Sequence, residues 1–138
     1  MKYKIAVIGL GYVGLPLAIS FSKSFKTKGF DINKKRIDQI NKGFDITKEI
    51  TSDELKKAIE RGFRCTSKIK ELKNYNIYIV TVPTPIDESK TPDLSLLIKA
   101  TELISSIISI GDFVIYESTV FPGATEEVCI PILDRKNF

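Results

Sequence analysis

The sequence predicts an α/β domain with a doubly wound, mostly parallel sheet. Short apolar runs alternate along the chain with longer amphipathic segments, as expected of strands that alternate with helices. A glycine-rich turn comes directly after the first apolar run. The 138 residues are 43% hydrophobic, which is enough to build the core of a single domain over residues 1–138. Right-handed crossovers then place helices on both faces of the sheet.

The first half of the chain predicts two strands and three helices. They are, in order, a strand at Lys4–Ile8, a helix at Val13–Phe25, a strand at Thr27–Ile32, and helices at Asn33–Lys42 and Thr51–Arg61. Residues 51–54 read Thr-Ser-Asp-Glu, the pattern of a capping box that opens a helix. The last two helices are each followed by a glycine, which is typical of a helix end. Residues 44–50 between them are predicted to be a loop.

The second half predicts three strands and two helices. They are a short strand at Phe63–Thr66, a strand at Ile77–Val82, a helix at Leu94–Ile108, a strand at Phe113–Tyr116 and a helix at Thr125–Leu133. Asp93 is predicted to be the N-cap of the first of these helices. Pro131 is expected to kink or shorten the second, because proline cannot donate a backbone hydrogen bond.

The composition excludes several classes of site. The chain has no histidine, so it has no Ser-His-Asp triad, no Cys-His pair and no imidazole metal site. Its two cysteines cannot form a four-thiolate zinc centre, and no metal site is predicted. Cys65 and Cys129 are predicted to be packing residues rather than nucleophiles.

The charge distribution indicates which binding partners to expect, and the absence of targeting signals indicates the cellular compartment. The net charge is +4, and the basic residues are scattered and lie beside acids, which favours a solvated surface over a nucleic-acid interface. A small phosphate-bearing ligand fits this mild excess. No signal peptide is recognisable, and no uncharged apolar run approaches the roughly 20 residues that span a bilayer. A soluble, cytoplasmic protein without a membrane partner is predicted.

Residues 9–14 read Gly-Leu-Gly-Tyr-Val-Gly, a GxGxxG pattern between the first strand and the first helix. Gly9 permits a tight turn, Gly11 lets a pyrophosphate approach the backbone, and Gly14 allows the helix to pack close to the sheet. The N–H groups and the positive dipole end of the helix then face the phosphates. Glycine turns between strand and helix also occur for purely structural reasons, but this position predicts a dinucleotide site.

Asp31 predicts which dinucleotide binds. It ends the second strand twenty residues after Gly11, where a ribose-binding acid is expected. A 2′-phosphate would be repelled there by about 4 kcal/mol at about 4 Å and an effective dielectric constant near 20. NAD is therefore favoured over NADP. Arg36, about one turn into the next helix, stacks on adenine, accommodates a phosphate, or is a surface partner for a nearby acid.

Two further loops are expected at the same edge of the sheet, outside the carboxyl ends of the strands. Residues 82–85, Val82-Pro83-Thr84-Pro85, present the loop backbone and the Thr84 hydroxyl to the cleft, or only terminate the strand. Residues 117–119, Glu117-Ser118-Thr119, follow the last strand. Thr119 offers a hydroxyl near the expected nicotinamide end, or helps to form a turn.

Five segments together resemble the N-terminal NAD-binding domain of the bacterial UDP-glucose/GDP-mannose dehydrogenase family. They are KIAVIGLGYVGLPLA at the N-terminus, GFDIN around Asp31, VTVPTPID at 80–87, PDLSLLIKA at 92–100 and ESTVFPGATEEV at 117–128. The likeness covers essentially the whole chain. It is greatest to the branch that oxidises UDP-N-acetylhexosamines for surface polysaccharides. The Rossmann fold, a doubly wound nucleotide-binding fold, is the architecture that this resemblance implies.

The resemblance implies an NAD-dependent oxidation of a sugar C6 hydroxymethyl group to a carboxylate through two hydride transfers. It places NAD contacts on Tyr12, Val13, Asp31, Arg36, Thr84 and Thr119. The candidate cofactor-binding set is completed by their neighbours Gly9, Gly11, Gly14, Val82, Pro83 and Ser118. The nucleophilic cysteine, a lysine and an asparagine of the family lie in central and C-terminal domains absent from this chain, so no catalytic residue is assigned here.

The leading hypothesis is the NAD-binding part of a UDP-N-acetylhexosamine 6-dehydrogenase that is inactive alone. The UDP-sugar would bind only with the missing domains, and the full-length protein would be a homo-oligomer. The fragment would be a monomer, or would aggregate through surface that the missing domains should cover. A freestanding NAD(H)-sensing module is the alternative. A dehydrogenase for a smaller hydroxy acid is disfavoured by residues 82–85 and 117–123.

Overall fold

The computed structural model describes residues 2–135, which contain a parallel five-stranded sheet. The strands are β1 (Lys4–Ile8), β2 (Lys26–Phe30), β3 (Arg64–Thr66), β4 (Ile77–Val80) and β5 (Phe113–Tyr116). Their order in the sheet is β3-β2-β1-β4-β5. The chain first extends the sheet from β1 to β3, then crosses back to place β4 on the other side of β1. This reversal is the doubly wound arrangement, so the predicted fold class is confirmed.

Helices cover both faces of this sheet. They are α1 (Gly14–Ser22), α2 (Lys34–Asn41), α3 (Ser52–Glu60), α4 (Ser95–Ser105) and α5 (Ile130–Asp134), with a short 3-10 helix at Ile69–Leu72 and a π-helical turn at Thr125–Cys129. None of the helices within residues 2–135 combines the length and apolarity needed to cross a membrane.

Two hydrophobic cores form because successive side chains of a strand point to opposite faces. Ile5 and Val7 of β1 belong to the core beneath α1, α2 and α3. Ala6 and Ile8 belong to the core beneath α4, together with Tyr78 of β4. A strand buried on both faces needs a continuous apolar run, which is what residues 5–8 provide.

The strand register brings the candidate loops to one edge. Ile8 pairs with Phe30 of β2 and with Val80 of β4, so these three strands end at the same level. The glycine turn, the segment that begins with Asp31 and the loop that begins with Thr81 therefore emerge side by side.

Several boundaries differ from the prediction. β4 ends at Val80 rather than Val82, although the Thr81 N–H still donates to the Ile8 carbonyl. α1 ends at Ser22 rather than Phe25. The prediction of Asp93 as the N-cap of α4 is wrong by one residue, since Leu94 occupies that position. The Asp93 N–H is held by the Pro85 carbonyl at 2.8 Å, and its carboxylate accepts from the Ser95 N–H.

The last predicted helix is divided in two. Residues 125–129 form a wide π-helical turn, and the α-helix begins only at Ile130. Pro131 explains the division, because it has no N–H for the carbonyl one turn earlier. The capping box at α3 is present as predicted, with the Thr51 hydroxyl accepting from the Glu54 N–H.

Candidate cofactor site

The three glycines of the turn are required for different reasons. Gly9 has a φ of +97°, and a Cβ there would lie 3.0 Å from the Val82 nitrogen. A Cβ on Gly14 would lie 1.7 Å from the Gly9 carbonyl oxygen, which is an impossible contact. A Cβ on Gly11 would meet no atom within 4 Å. Packing of the protein therefore requires Gly9 and Gly14 but not Gly11, and the open space over Gly11 fits the close approach of a ligand.

The N-terminus of α1 lies beside that open space. No side chain caps this terminus among residues 2–135. The first N–H groups of a helix have no intrahelical partner, and together with the helix dipole they favour an anion. The Thr81 hydroxyl donates to the Gly9 carbonyl at 2.6 Å and so fastens the turn to the end of β4.

The peptide groups of Leu10, at the centre of the turn, are held from both sides. Its N–H donates to one Asp31 carboxylate oxygen at 3.0 Å, and its carbonyl accepts from Arg36 Nε at 2.9 Å. The other Asp31 oxygen accepts from the Asn33 N–H at 2.9 Å. The two residues predicted for the adenosine end of the cofactor therefore also fix the shape of the glycine turn.

Arg36 is buried. One alternative made it a partner of an acid at the surface, and that alternative is wrong in placing Arg36 at the surface. Its side chain is 8% exposed, and Nη1 donates to the Asp45 carboxylate at 2.8 Å. Arg36 Nη2 is buried and has no hydrogen-bond partner within the described residues, 2–135. The pairing explains why so polar a side chain is buried beside the glycine turn.

Asp45 is a residue that sequence reasoning missed, because it lies in a segment predicted only as a loop. Its carboxylate accepts from the Thr47 hydroxyl and from the backbone N–H groups of Thr47, Glu49 and Ile50. Burial raises the pKa of this carboxyl, but the hydrogen bonds from Thr47, Ile50 and Arg36 outweigh burial and leave the pKa below its ordinary value. No sequence pattern marked this aspartate, since its partners are set by the fold.

A cavity of about 370 Å³ lies at the carboxyl edge of the strands. The glycine turn and the residues after β2 form one side, and α4 forms a wall opposite that is apolar except for Lys99. The lining residues are Ile8, Gly9, Leu10, Gly11, Phe30, Asp31, Ile32, Asn33, Arg36, Thr81, Val82, Pro83, Leu96, Lys99, Ala100 and Leu103. An apolar wall facing a carboxylate and a helix N-terminus suits a nucleotide, whose base is flat and apolar and whose ribose and phosphates are polar.

The remaining predicted residues lie around this cavity rather than in its lining. Tyr12 and Val13 are 69% and 61% exposed beside the start of α1. The Thr84 hydroxyl donates to the Thr119 carbonyl, and the Ser118 hydroxyl donates to the Val82 carbonyl at 2.6 Å. The loops after β4 and β5 are therefore fastened to each other, and the hydroxyl of Thr84 is used in that contact.

The two cysteines are buried in the cores and are not paired with each other. Burial raises the pKa of the Cys65 thiol to about 12, so its thiolate is scarce at neutral pH. Cys129 is fully buried in the core beneath α4. No cluster of three or more metal-ligating acidic or cysteine side chains occurs in the part of the chain that the structure describes.

Comparison with known proteins places this site in a family. Residues 3–138 match the model of the NAD binding domain of the UDP-glucose/GDP-mannose dehydrogenase family. The UDP-N-acetyl-D-glucosamine 6-dehydrogenase of Salmonella typhi is 55% identical over 97% of this chain and 31% of its own length. The enzyme of the same name from Pseudomonas aeruginosa is 54% identical over 96% of this chain and 31% of its own length.

Solved structures of two sugar-nucleotide dehydrogenases also resemble this chain. A UDP-D-ManNAc dehydrogenase from Pyrococcus horikoshii superposes with a TM-score of 0.89 at 36% identity, over 98% of this chain and 33% of that protein. A ternary complex of GDP-mannose dehydrogenase from Pseudomonas aeruginosa gives 0.87 at 26% identity, over 95% and 32%. The chain thus spans about a third of the length of the relatives that it matches. The predicted resemblance and the NAD cofactor are confirmed, and this chain belongs to the UDP-glucose/GDP-mannose dehydrogenase family as its NAD-binding domain.

Proposed function

We propose that this chain is the NAD-binding part of a UDP-sugar 6-dehydrogenase, which oxidises the C6 hydroxymethyl group of a UDP-N-acetylhexosamine to a carboxylate for surface polysaccharide synthesis. The observation that carries the NAD site is the open approach to Gly11, beside the uncapped N-terminus of α1 and the Asp31 carboxylate. The proposed substrate class is supported by the 55% identity to the UDP-N-acetyl-D-glucosamine 6-dehydrogenase of Salmonella typhi.

The residues of this chain would bind and orient the cofactor. The glycine turn and the start of α1 face the pyrophosphate, Asp31 accepts from the adenosine ribose, and the apolar wall of α4 packs on adenine. The loops after β4 and β5 lie at the nicotinamide end, where we assign contacts to Thr84 and Thr119. When bound, NAD supplies the chemistry by accepting a hydride from the sugar C6, and the protein supplies orientation.

We propose that turnover needs the remaining two thirds of the protein, as judged by the length of the relatives. No residue of this chain is assigned to the covalent step, and the UDP-sugar would contact mainly the other parts of the protein. We further propose a cytoplasmic protein that is a homo-oligomer in its full-length form, with this chain alone a monomer.

Calorimetric titration of the chain with NADH and with NADPH tests the cofactor assignment. We expect NADH to bind and NADPH to bind at least tenfold more weakly, because a 2′-phosphate would lie against the Asp31 carboxylate. The chain incubated with NAD and a UDP-N-acetylhexosamine should form no NADH. Binding of neither nucleotide, or tighter binding of NADPH, would contradict the proposal.

A further inference from the structure

The loop that joins α2 to α3 is organised around one buried carboxylate. The Asp45 side chain is fully buried, and the backbone from Thr47 to Ile50 turns around it. Lys48, within this turn, has a left-handed φ of 57°, a conformation that non-glycine residues adopt only where their surroundings impose it. The hydrogen bonds to Asp45 are the contacts that impose it.

The two oxygens of this carboxylate have separate partners. Oδ2 accepts only loop N–H groups among the described residues, those of Glu49 and Ile50 at 3.0 Å each. Oδ1 accepts from the Thr47 side chain and backbone and also from Arg36 Nη1 at 2.8 Å. One oxygen therefore holds the loop, while the other connects the loop to the guanidinium in the cofactor cleft.

Arg36 carries this connection onward to the glycine turn. Its planar guanidinium donates through Nη1 to Asp45 and through Nε to the Leu10 carbonyl at 2.9 Å. Because the guanidinium is planar and rigid, the hydrogen bond from Nη1 to Asp45 also fixes the direction in which Nε–H points. A chain of contacts therefore runs from the loop through Arg36 to the centre of the phosphate-binding turn.

We propose that Asp45 is a positioning residue for nucleotide binding, which fixes Arg36 and, through it, the Leu10 carbonyl of the glycine turn before the nucleotide arrives. The inference rests on the proposed function of the cleft as an NAD site. A site already in its bound shape loses less conformational entropy when the ligand binds. Loss of the Asp45 carboxylate should therefore weaken the adenosine half of the cofactor although Asp45 does not line the cavity.

A double-mutant cycle on nucleotide affinity tests the proposal. The variants are Asp45→Asn, Arg36→Met and the pair together, titrated with NADH and with ADP-ribose at a temperature where denaturation curves show each to be folded. We expect each single variant to raise both dissociation constants by about tenfold, and the double variant to match Arg36→Met within about twofold, because Asp45 acts through Arg36.

Asn41→Ala is the matched control. Asn41 lies at the end of α2. Its side-chain amide donates to the Cys65 carbonyl and accepts from the Cys65 N–H, so its loss removes two part-buried hydrogen bonds that do not involve Arg36. It should lower the melting temperature and leave both dissociation constants within about twofold of the wild-type values. Equal weakening by Asn41→Ala would mean that general loss of stability explains the effect, and would overturn the proposal.

Other outcomes also overturn it. Asp45→Asn that binds as tightly as wild type, or that weakens binding equally in the Arg36→Met background, would show that Asp45 does not act through Arg36. If Asp45→Asn does not fold, Arg36→Lys takes its place, since one ammonium group cannot reproduce both guanidinium contacts; unchanged ADP-ribose binding would then refute the proposal. A wild-type chain that binds neither NADH nor ADP-ribose would instead refute the proposed function itself.

Discussion

Gly9, Gly11 and Gly14 all lack a Cβ, but the space around each of them in the turn is different. Sequence spacing predicted a separate role for each, and the distances support that division, with a hypothetical Cβ at 1.7 Å from backbone at Gly14 and open space at Gly11. Arg36 and Asp45 were harder to predict. Their pairing joins residues that carry no joint sequence pattern, and only the folded loop brings the two side chains within 2.8 Å.

Alanine substitution at Gly11 and Gly14 should separate binding from stability. Gly11→Ala should change the free energy of unfolding by less than about 1 kcal/mol, since its Cβ meets nothing, and should weaken NADH binding by at least tenfold because the methyl group lies where the pyrophosphate approaches. Gly14→Ala should destabilise the domain severely, because its Cβ overlaps the Gly9 carbonyl. Urea denaturation and NADH titration measure the two effects. Gly11→Ala that binds NADH like wild type would contradict the role given to Gly11.

Among the helices and strands, a local sequence pattern predicted structure correctly where contacts within one turn determine that structure. The capping box of α3 formed as predicted because Thr51 and Glu54 satisfy each other within one turn. The start of α4 lies one residue later than predicted, and the Asp93 N–H just before it is bonded to the distant Pro85 carbonyl. The 3-10 helix at Ile69–Leu72 was not predicted, and it is fixed by its neighbours, since the buried Tyr78 hydroxyl donates to the Leu72 carbonyl. Neither the Asp93 contact nor the Tyr78 contact leaves a local sequence pattern, so sequence did not predict them.

The loop at residues 44–50 should make stability depend on pH in the acid range. The Asp45 pKa is lower in the fold than the value of about 3.9 expected in an unfolded chain, so its stabilising contribution is complete above that value and is lost as the pH falls through the folded pKa. Wild type should exceed Asp45→Asn in the free energy of unfolding by about 3 kcal/mol at pH 7. This difference should shrink progressively below about pH 4.

Urea denaturation of both proteins from pH 7 down to the lowest pH at which they fold measures this difference. Comparison with the variant removes the effect of other carboxyls whose pKa is also lowered, such as Glu71 and Asp93. A difference that stays constant below pH 4, or that grows as the pH falls, would contradict the role given to the Asp45 carboxylate.

At the scale of the whole molecule, the sheet order explains why the site lies where it does. β1 is central, β2 lies on one side and β4 on the other, so the turn after β1 opens into the crevice at the point where the strand order reverses. Alternation of strand and helix predicted this arrangement from sequence, since connection handedness leaves few other topologies. What the sequence could not determine was which loops would touch, such as the contact between the loops after β4 and β5.

The molecule has a second concave surface that provides an internal comparison. It lies at the opposite edge of the sheet, where residues 22–28 meet residues 61–64, and it carries Lys23, Lys26 and Arg64. Its lysine and arginine side chains would attract any anion weakly. If NAD bound by charge alone, we would therefore expect it at this second surface. Binding at the predicted site needs the glycine turn and Asp31 instead.

Titration of the isotopically labelled chain with NAD, followed by amide chemical shifts, therefore shows whether NAD binds at the glycine turn or only by charge. We expect saturable shifts in the glycine turn at residues 9–14, in the segment at 31–36, in the loops at 81–84 and 118–119 and along the cavity face of α4, with Gly11 among the most affected. Saturable shifts at residues 22–28 and 61–64, with the glycine turn unaffected, would contradict it.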